Sequence, residues 1–120
     1  MAENEIPEAT PADFRRSLLQ HLQFTVGKDP EHATIFDWRI ALSHALRDLA
    51  VAPWFASTRR TWDEDRKRVY YLSMEFLIGR LMEDLAINLG VRHTAAEVLS
   101  DLGLDFEIVA NAEPDAALGN

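Results

Sequence analysis

One short stretch limits what this chain can become. Val69-Tyr70-Tyr71-Leu72-Ser73-Met74 is rich in β-branched and aromatic residues, carries no charge and does not alternate between apolar and polar. That pattern suits a strand buried on both faces, as in a parallel sheet. The rest of the chain reads as helix and connector, so the strand has no evident partner within these 120 residues. A lone strand leaves a row of backbone N–H and C=O groups unpaired. The expected fold is therefore mostly α with one buried strand, and the strand points to sheet partners that this sequence lacks.

Helical spacing governs most of what remains. Residues 1–11 are acidic, contain two prolines and read as a flexible tail. From Asp13 onward Phe14, Leu18, Leu22 and Val26 recur at helical spacing, and Gly27-Lys28-Asp29-Pro30 stops the helix. Thr34 with Asp37 three residues later has the form of a capping box. Beyond it Ile35, Trp38, Leu42, Leu46 and Leu49 line one face, widened by Ile40 and Ala45, with helix continuing to about Asp63. Pro53 removes a backbone donor and crowds the carbonyl four residues back, which predicts a kink near Ala50 or two separate helices.

After a charged connector at 63–68 and the apolar strand, a helix is expected from about Leu77 to Leu89, ended by Gly90. Thr94 with Glu97 predicts the start of a short helix, and Asp105 the start of another over Phe106 to Ala112. These elements divide the chain into a tail (1–11), a helical segment (12–66) and the start of an α/β domain (67–120).

The charge balance narrows the partners. Twenty Asp and Glu against twelve Lys and Arg give a net charge of −8, the wrong sign for a phosphate-backbone binder. No stretch approaches a membrane span, and the amino terminus lacks the basic and apolar regions of a signal peptide. The absence of cysteine excludes disulfides and thiolate chemistry. Nucleic acid and membrane are thus not expected partners, and a cytoplasmic location is. His21, His32, His44 and His93 share no metal-ligand spacing. His44 and Asp48 stand at i,i+4 on the long helix, where a surface pair is the ordinary outcome.

The informative run is Tyr70-Tyr71-Leu72-Ser73-Met74-Glu75-Phe76-Leu77-Ile78-Gly79-Arg80. A strand that ends in Glu75 and turns through Gly79 into a helix places a carboxylate where ligands sit in open α/β sheets. A strand-end glutamate bonded to backbone amides is the simpler reading of the position. The run closely resembles the signature near the amino terminus of the α-1,4-glucan (glycogen or maltodextrin) phosphorylases. His21-Leu22-Gln23-Phe24-Thr25, Lys28-Asp29, Ala41-Leu42-Ser43-His44 and Arg47-Asp48 are similar to the family's first two helices and their connector. Glu113-Pro114-Asp115-Ala116-Ala117-Leu118-Gly119-Asn120 is similar to the run into its glycine-rich active-site loop.

The resemblance implies an amino-terminal piece of a two-domain α/β (GT-B-like) glycosyltransferase that uses inorganic phosphate to release glucose 1-phosphate from an α-1,4-glucan. It implies pyridoxal phosphate on a lysine beyond residue 120, a homodimer formed through the first helices and connector, and no catalytic residue within this chain. Glu75, Gly119 and Asn120 are implied to support the substrate pocket. Leu77 replaces a tyrosine that animal enzymes carry near the cofactor.

Trp62 falls where regulated animal enzymes stack a tyrosine on AMP, with Asp29 in the facing connector. Glu31 replaces an asparagine there and adds a carboxylate beside a phosphate-bearing ligand, which favours packing over nucleotide binding for Trp62. The tail also lacks the serine, flanked by basic residues, that kinases modify in those enzymes. The alternative to a phosphorylase is a stand-alone helical interaction or nucleotide-binding regulatory module derived from the family.

Overall fold

Thr10 opens the first helix. In the computed structural model, which describes residues 10–65, 67 and 81–114, its side chain accepts from the Asp13 N–H at 3.1 Å. Pro11 takes the first helical position, where its missing N–H costs nothing. Helix α1 spans Pro11–Gln20, so Thr10 and Pro11 belong to it and not to the tail expected over 1–11. The chain then widens into one π-helical segment, π1 (His21–Val26), that helical spacing alone did not distinguish from α. Gly27 ends it at φ 81°, a left-handed conformation in which glycine is unstrained.

Helix α2 runs unbroken over Ile35–Asp63. Its start is the expected capping box. Asp37 N–H donates to Thr34 Oγ1 at 3.2 Å, and Thr34 N–H donates to Asp37 Oδ2 at 2.9 Å. Pro53 sits inside the helix, so the expectation of two helices fails. One lost N–H bond interrupts the ladder locally, and the turns on either side keep theirs.

Three short helices follow: α3 (Met82–Asn88), α4 (Arg92–Asp101) and α5 (Phe106–Asn111). Asp105 caps α5 as expected, accepting from the Glu107 N–H at 2.9 Å. The predicted start of α4 is corrected. That helix begins at Arg92, with Val91 rather than a polar side chain at its cap position. Gly90 turns the chain at φ 74° and Val91 N–H donates to Ala86 O at 3.0 Å. The next helix therefore starts at once from a buried valine, and Thr94 already lies within it. The helix expected from Leu77 is described only from Met82.

Packing joins these pieces into one core. Phe14 and Leu18 of α1, Leu22 of π1, and Trp38, Ala41, Leu42, Ala45 and Leu46 of α2 are buried with Met82, Ala86, Val91, Ala95, Val98, Leu99, Phe106, Val109 and Ala110. Each large side chain removed from water contributes about 1.5–3 kcal/mol. Helix α2 is the common wall, packing on π1, α1, α5 and α3. No strand occurs among the described residues. The strand expected over Val69–Met74 lies outside them, as do residues 1–9.

Candidate functional site

Two of the residues singled out by sequence are placed, and they stand apart. Asp29 belongs to the connector between π1 and α2. Its carboxylate accepts from the His32 N–H at 2.9 Å and meets His32 Nδ1 at 2.8 Å. The side-chain bond to His32 is the main cause that holds the Asp29 carboxyl below the usual aspartate range. An open groove of about 560 Å³ adjoins it, lined by Leu19, Gln23, Gly27, Lys28, Asp29 and Pro30. This lining is mostly apolar, with one cation against one carboxylate, and Glu31 beside it is exposed.

Trp62 lies near the far end of α2 with 71% of its surface exposed. It is separated from Ile35 by about 40 Å of helix. The connector adjoins the opposite end, where Lys28 acts electrostatically on Asp37. A single chain therefore does not bring Asp29 and Trp62 together. Glu75, Gly119 and Asn120 lie outside the described residues, as does Leu77.

The sequence did not foretell how the histidines gather. His21 Nε2 meets Asp48 Oδ2 at 2.7 Å, and His21 Nδ1 meets Thr25 Oγ1 at 2.9 Å. The His44 ring stacks on the His21 ring with centroids 5.2 Å apart. Asp48 thus reaches across to π1, where i,i+4 spacing had paired it with His44 on its own helix. His21 opens the π segment, and a contact between residues 27 apart in sequence leaves no local spacing signal. The result ties π1 to α2. Among the described residues no group of three metal-ligating side chains could hold an ion.

At the other edge of the core, Met82 N–H donates to Glu113 Oε2 at 2.8 Å across a sequence separation of 31. Arg92 meets Glu83 at 3.1 Å and lies over the Phe106 ring at 4.9 Å. These contacts hold α3, α4 and α5 together where the chain adjoins residues 68–80 on one side and 115–120 on the other. The described arrangement is a scaffold in which Asp37 and Asp105 serve helix caps and Asp13, Asp29, Asp48 and Glu83 meet basic side chains.

Comparison with known proteins places that scaffold. No protein-family model matches the chain. Curated relatives do: it is 44% identical over 114 residues to a glycogen phosphorylase of Haemophilus influenzae, a match covering 95% of this chain and 14% of that protein. It is 42% identical over 109 residues to the brain form of Bos taurus and, over the same length, to the liver form of Homo sapiens, each covering 91% of this chain and 13% of the relative. The chain belongs to the glycogen phosphorylase family. It spans 13–14% of the length of these relatives, so the match concerns a small part of what they contain.

Neither lysine suits an aldimine. Lys28 and Lys67 are the two lysines of the sequence, and both are exposed. A Schiff-base lysine is activated by desolvation or by a neighbouring cation. The described residues do not fit pyridoxal phosphate, and no step can be routed through it here. No helix of the described residues is long and apolar enough to cross a membrane.

Proposed function

We propose that this chain is the amino-terminal scaffold of an α-glucan phosphorylase, whose full-length form cleaves the terminal α-1,4 bond of a glucan with inorganic phosphate and releases glucose 1-phosphate. The supporting observation is the 41–44% identity to glycogen phosphorylases over 91–95% of the chain. That match coincides with the motif at 70–80. The α/β two-domain fold, pyridoxal phosphate and a cytoplasmic location belong to this same reading. In it Glu75, Gly119 and Asn120 support the substrate pocket, and the chemistry lies beyond residue 120. The 120-residue chain alone is inactive and binds no cofactor.

A homodimer follows from the same reading. Exposed aromatic residues stand at both ends of α2: Phe24 and Phe36 near its start, Trp54, Phe55 and Trp62 toward its end. A nucleotide touching both Asp29 and Trp62 would have to lie between two chains. Glu31 and the carboxylate of Asp29 oppose a phosphate there, which favours an enzyme indifferent to AMP.

The test is product identity. Full-length protein given maltodextrin and phosphate should yield glucose 1-phosphate in proportion to phosphate consumed, read by phosphorus NMR. Release of free glucose without phosphate consumption would overturn the assignment. A folded 120-residue chain that is the complete gene product would favour the stand-alone interaction module instead.

A further inference from the structure

We infer that Thr25 is a nucleophilic hydroxyl that takes an acyl group from activated esters, with His21 as its base and Asp48 fixing that base's tautomer. This site is separate from phosphorolysis and does not rest on it. Two contacts run in series: Thr25 Oγ1 lies 2.9 Å from His21 Nδ1, and His21 Nε2 lies 2.7 Å from Asp48 Oδ2. A hydroxyl within hydrogen-bond reach of a base, itself oriented by a third group, is the arrangement that activates a nucleophile. It is recognised by geometry and roles, whatever the order of the residues in the chain. The carboxylate sets the direction of both bonds. It can only accept, so Nε2 carries the ring hydrogen; in the neutral imidazole Nδ1 is then an acceptor, and the Thr25 O–H donates to it.

Other helical hydroxyls of this chain show what is particular about Thr25. Ser43 donates to Arg39 O at 2.9 Å and Thr61 donates to Ser57 O at 3.0 Å, the ordinary bond of a helical hydroxyl to the carbonyl four residues back. Thr25 instead meets the imidazole of the residue four before it on π1. Thr25 is exposed, whereas only 21% of the His21 side chain is accessible. The His44 ring stacks on the His21 ring with centroids 5.2 Å apart and planes 24° from parallel. The hydroxyl can therefore meet a substrate in solvent while its base is held in one orientation. In the reaction Thr25 Oγ1 attacks the carbonyl carbon of the ester and its proton passes to His21 Nδ1. The bond from that carbon to the leaving oxygen then breaks, the oxygen keeps the electron pair, and the product is O-acyl-Thr25. An activated ester is the fitting donor because its leaving group departs readily as an anion.

The test treats the full-length protein with p-nitrophenyl acetate, quenches with acid and maps acetylated peptides by mass spectrometry. The exposed hydroxyls of Ser57 and Ser100 are the internal comparison. Thr25 should be acetylated at least about 100-fold faster than either, since a positioned general base is worth about 100- to 10,000-fold. Hydroxylamine should remove the label, which marks an ester. Thr25→Val should abolish the label at this position and Thr25→Ser should keep it. His21→Gln and Asp48→Asn should each slow acetylation of Thr25 by about 100-fold or more. Because the same contact ties π1 to α2, melting temperatures are recorded for both. If one of the two fails to fold, the other carries the comparison; if neither folds, the rate of Thr25 against Ser57 and Ser100 in the wild type decides. A wild type unlabelled at Thr25, or labelled there no faster than at Ser57 and Ser100, would overturn the inference. So would a folded Asp48→Asn that acetylates Thr25 at the wild-type rate.

Discussion

The two halves of α2 differ more than any other pair of regions in this molecule. Before Ala50 the helix buries Trp38, Ala41, Leu42, Ala45 and Leu46 against π1, α1, α3 and α5. Beyond it only Ala56 is buried, while Trp54, Phe55 and Trp62 are 61%, 53% and 71% exposed. Both halves are helical, and among the described residues only the first half contributes to the shared core. Helix geometry persists across Pro53, beyond the stretch that the described core covers. The difference teaches that apolar composition marks a helix for burial without saying what buries it. An exposed aromatic run of this kind is a surface that favours association. We expect the isolated 120-residue chain to be strongly helical yet to self-associate, with a broad thermal transition. A sharp, reversible, monomeric two-state transition would contradict that.

Substitutions sharpen the contrast. Leu42→Ala removes a fully buried side chain shared by several helices and should cost about 2–5 kcal/mol, read as a lower denaturation midpoint. Pro53→Ala restores one N–H donor inside α2 and should stabilise the second half by on the order of 1–3 kcal/mol. That gain should appear as slower amide exchange over residues 54–63, with the first half unchanged. Thr34→Ala removes the side-chain half of the capping box and should cost about 1 kcal/mol. Trp62→Ala should change the stability of this chain by less than about 0.5 kcal/mol, as for other exposed positions. A loss comparable to that of Leu42→Ala would break the comparison, because it would mean the second half is packed after all.

Acid probes the first half in a second way. The backbone N–H of Thr34, above all, holds the Asp37 carboxyl below the usual aspartate range. Asp29 is held low in the same direction by His32. Between its lowered folded value and the ordinary value of about 3.9, each carboxyl binds fewer protons folded than unfolded. Both contributions are therefore complete above about pH 4 and are lost as the pH falls through the folded values. Asp37→Asn should flatten the acid limb of the stability curve; an unaltered limb would show that the capping carboxylate does not titrate with folding.

Most of this fold was legible, for identifiable reasons. Thr34, Asp37 and Asp105 were readable as caps because capping depends on residues three or fewer positions apart. Phe14, Leu18, Leu22, Trp38, Leu42 and Leu46 were readable as core because helical period is a local property. The start of α4 was not, since Val91 is buried by a tight turn at Gly90 and outcompetes the polar pair Thr94 and Glu97. The π segment, the His21–Asp48 contact and the Glu113–Met82 bond depend on how elements meet, which no single stretch encodes. Trp62 shows a different limit: it is a large apolar side chain on α2 with 71% of its surface exposed, and local spacing does not say which apolar residues of a long helix stay accessible. Of the candidate site, residues 70–80 carried a resemblance strong enough to name a family, yet nothing in the local pattern of Glu75 separates a pocket residue from a strand-end carboxylate.

Retention of pyridoxal phosphate tests most directly whether these residues are scaffold and the chemistry lies elsewhere in a longer protein. The 120-residue chain and the full-length protein are each incubated with the cofactor, dialysed and scanned for aldimine absorbance. The account predicts a stoichiometric, retained chromophore in the full-length protein and none in the 120-residue chain, whose two lysines are exposed. A retained chromophore in the short chain, or none in the full-length protein, would contradict it.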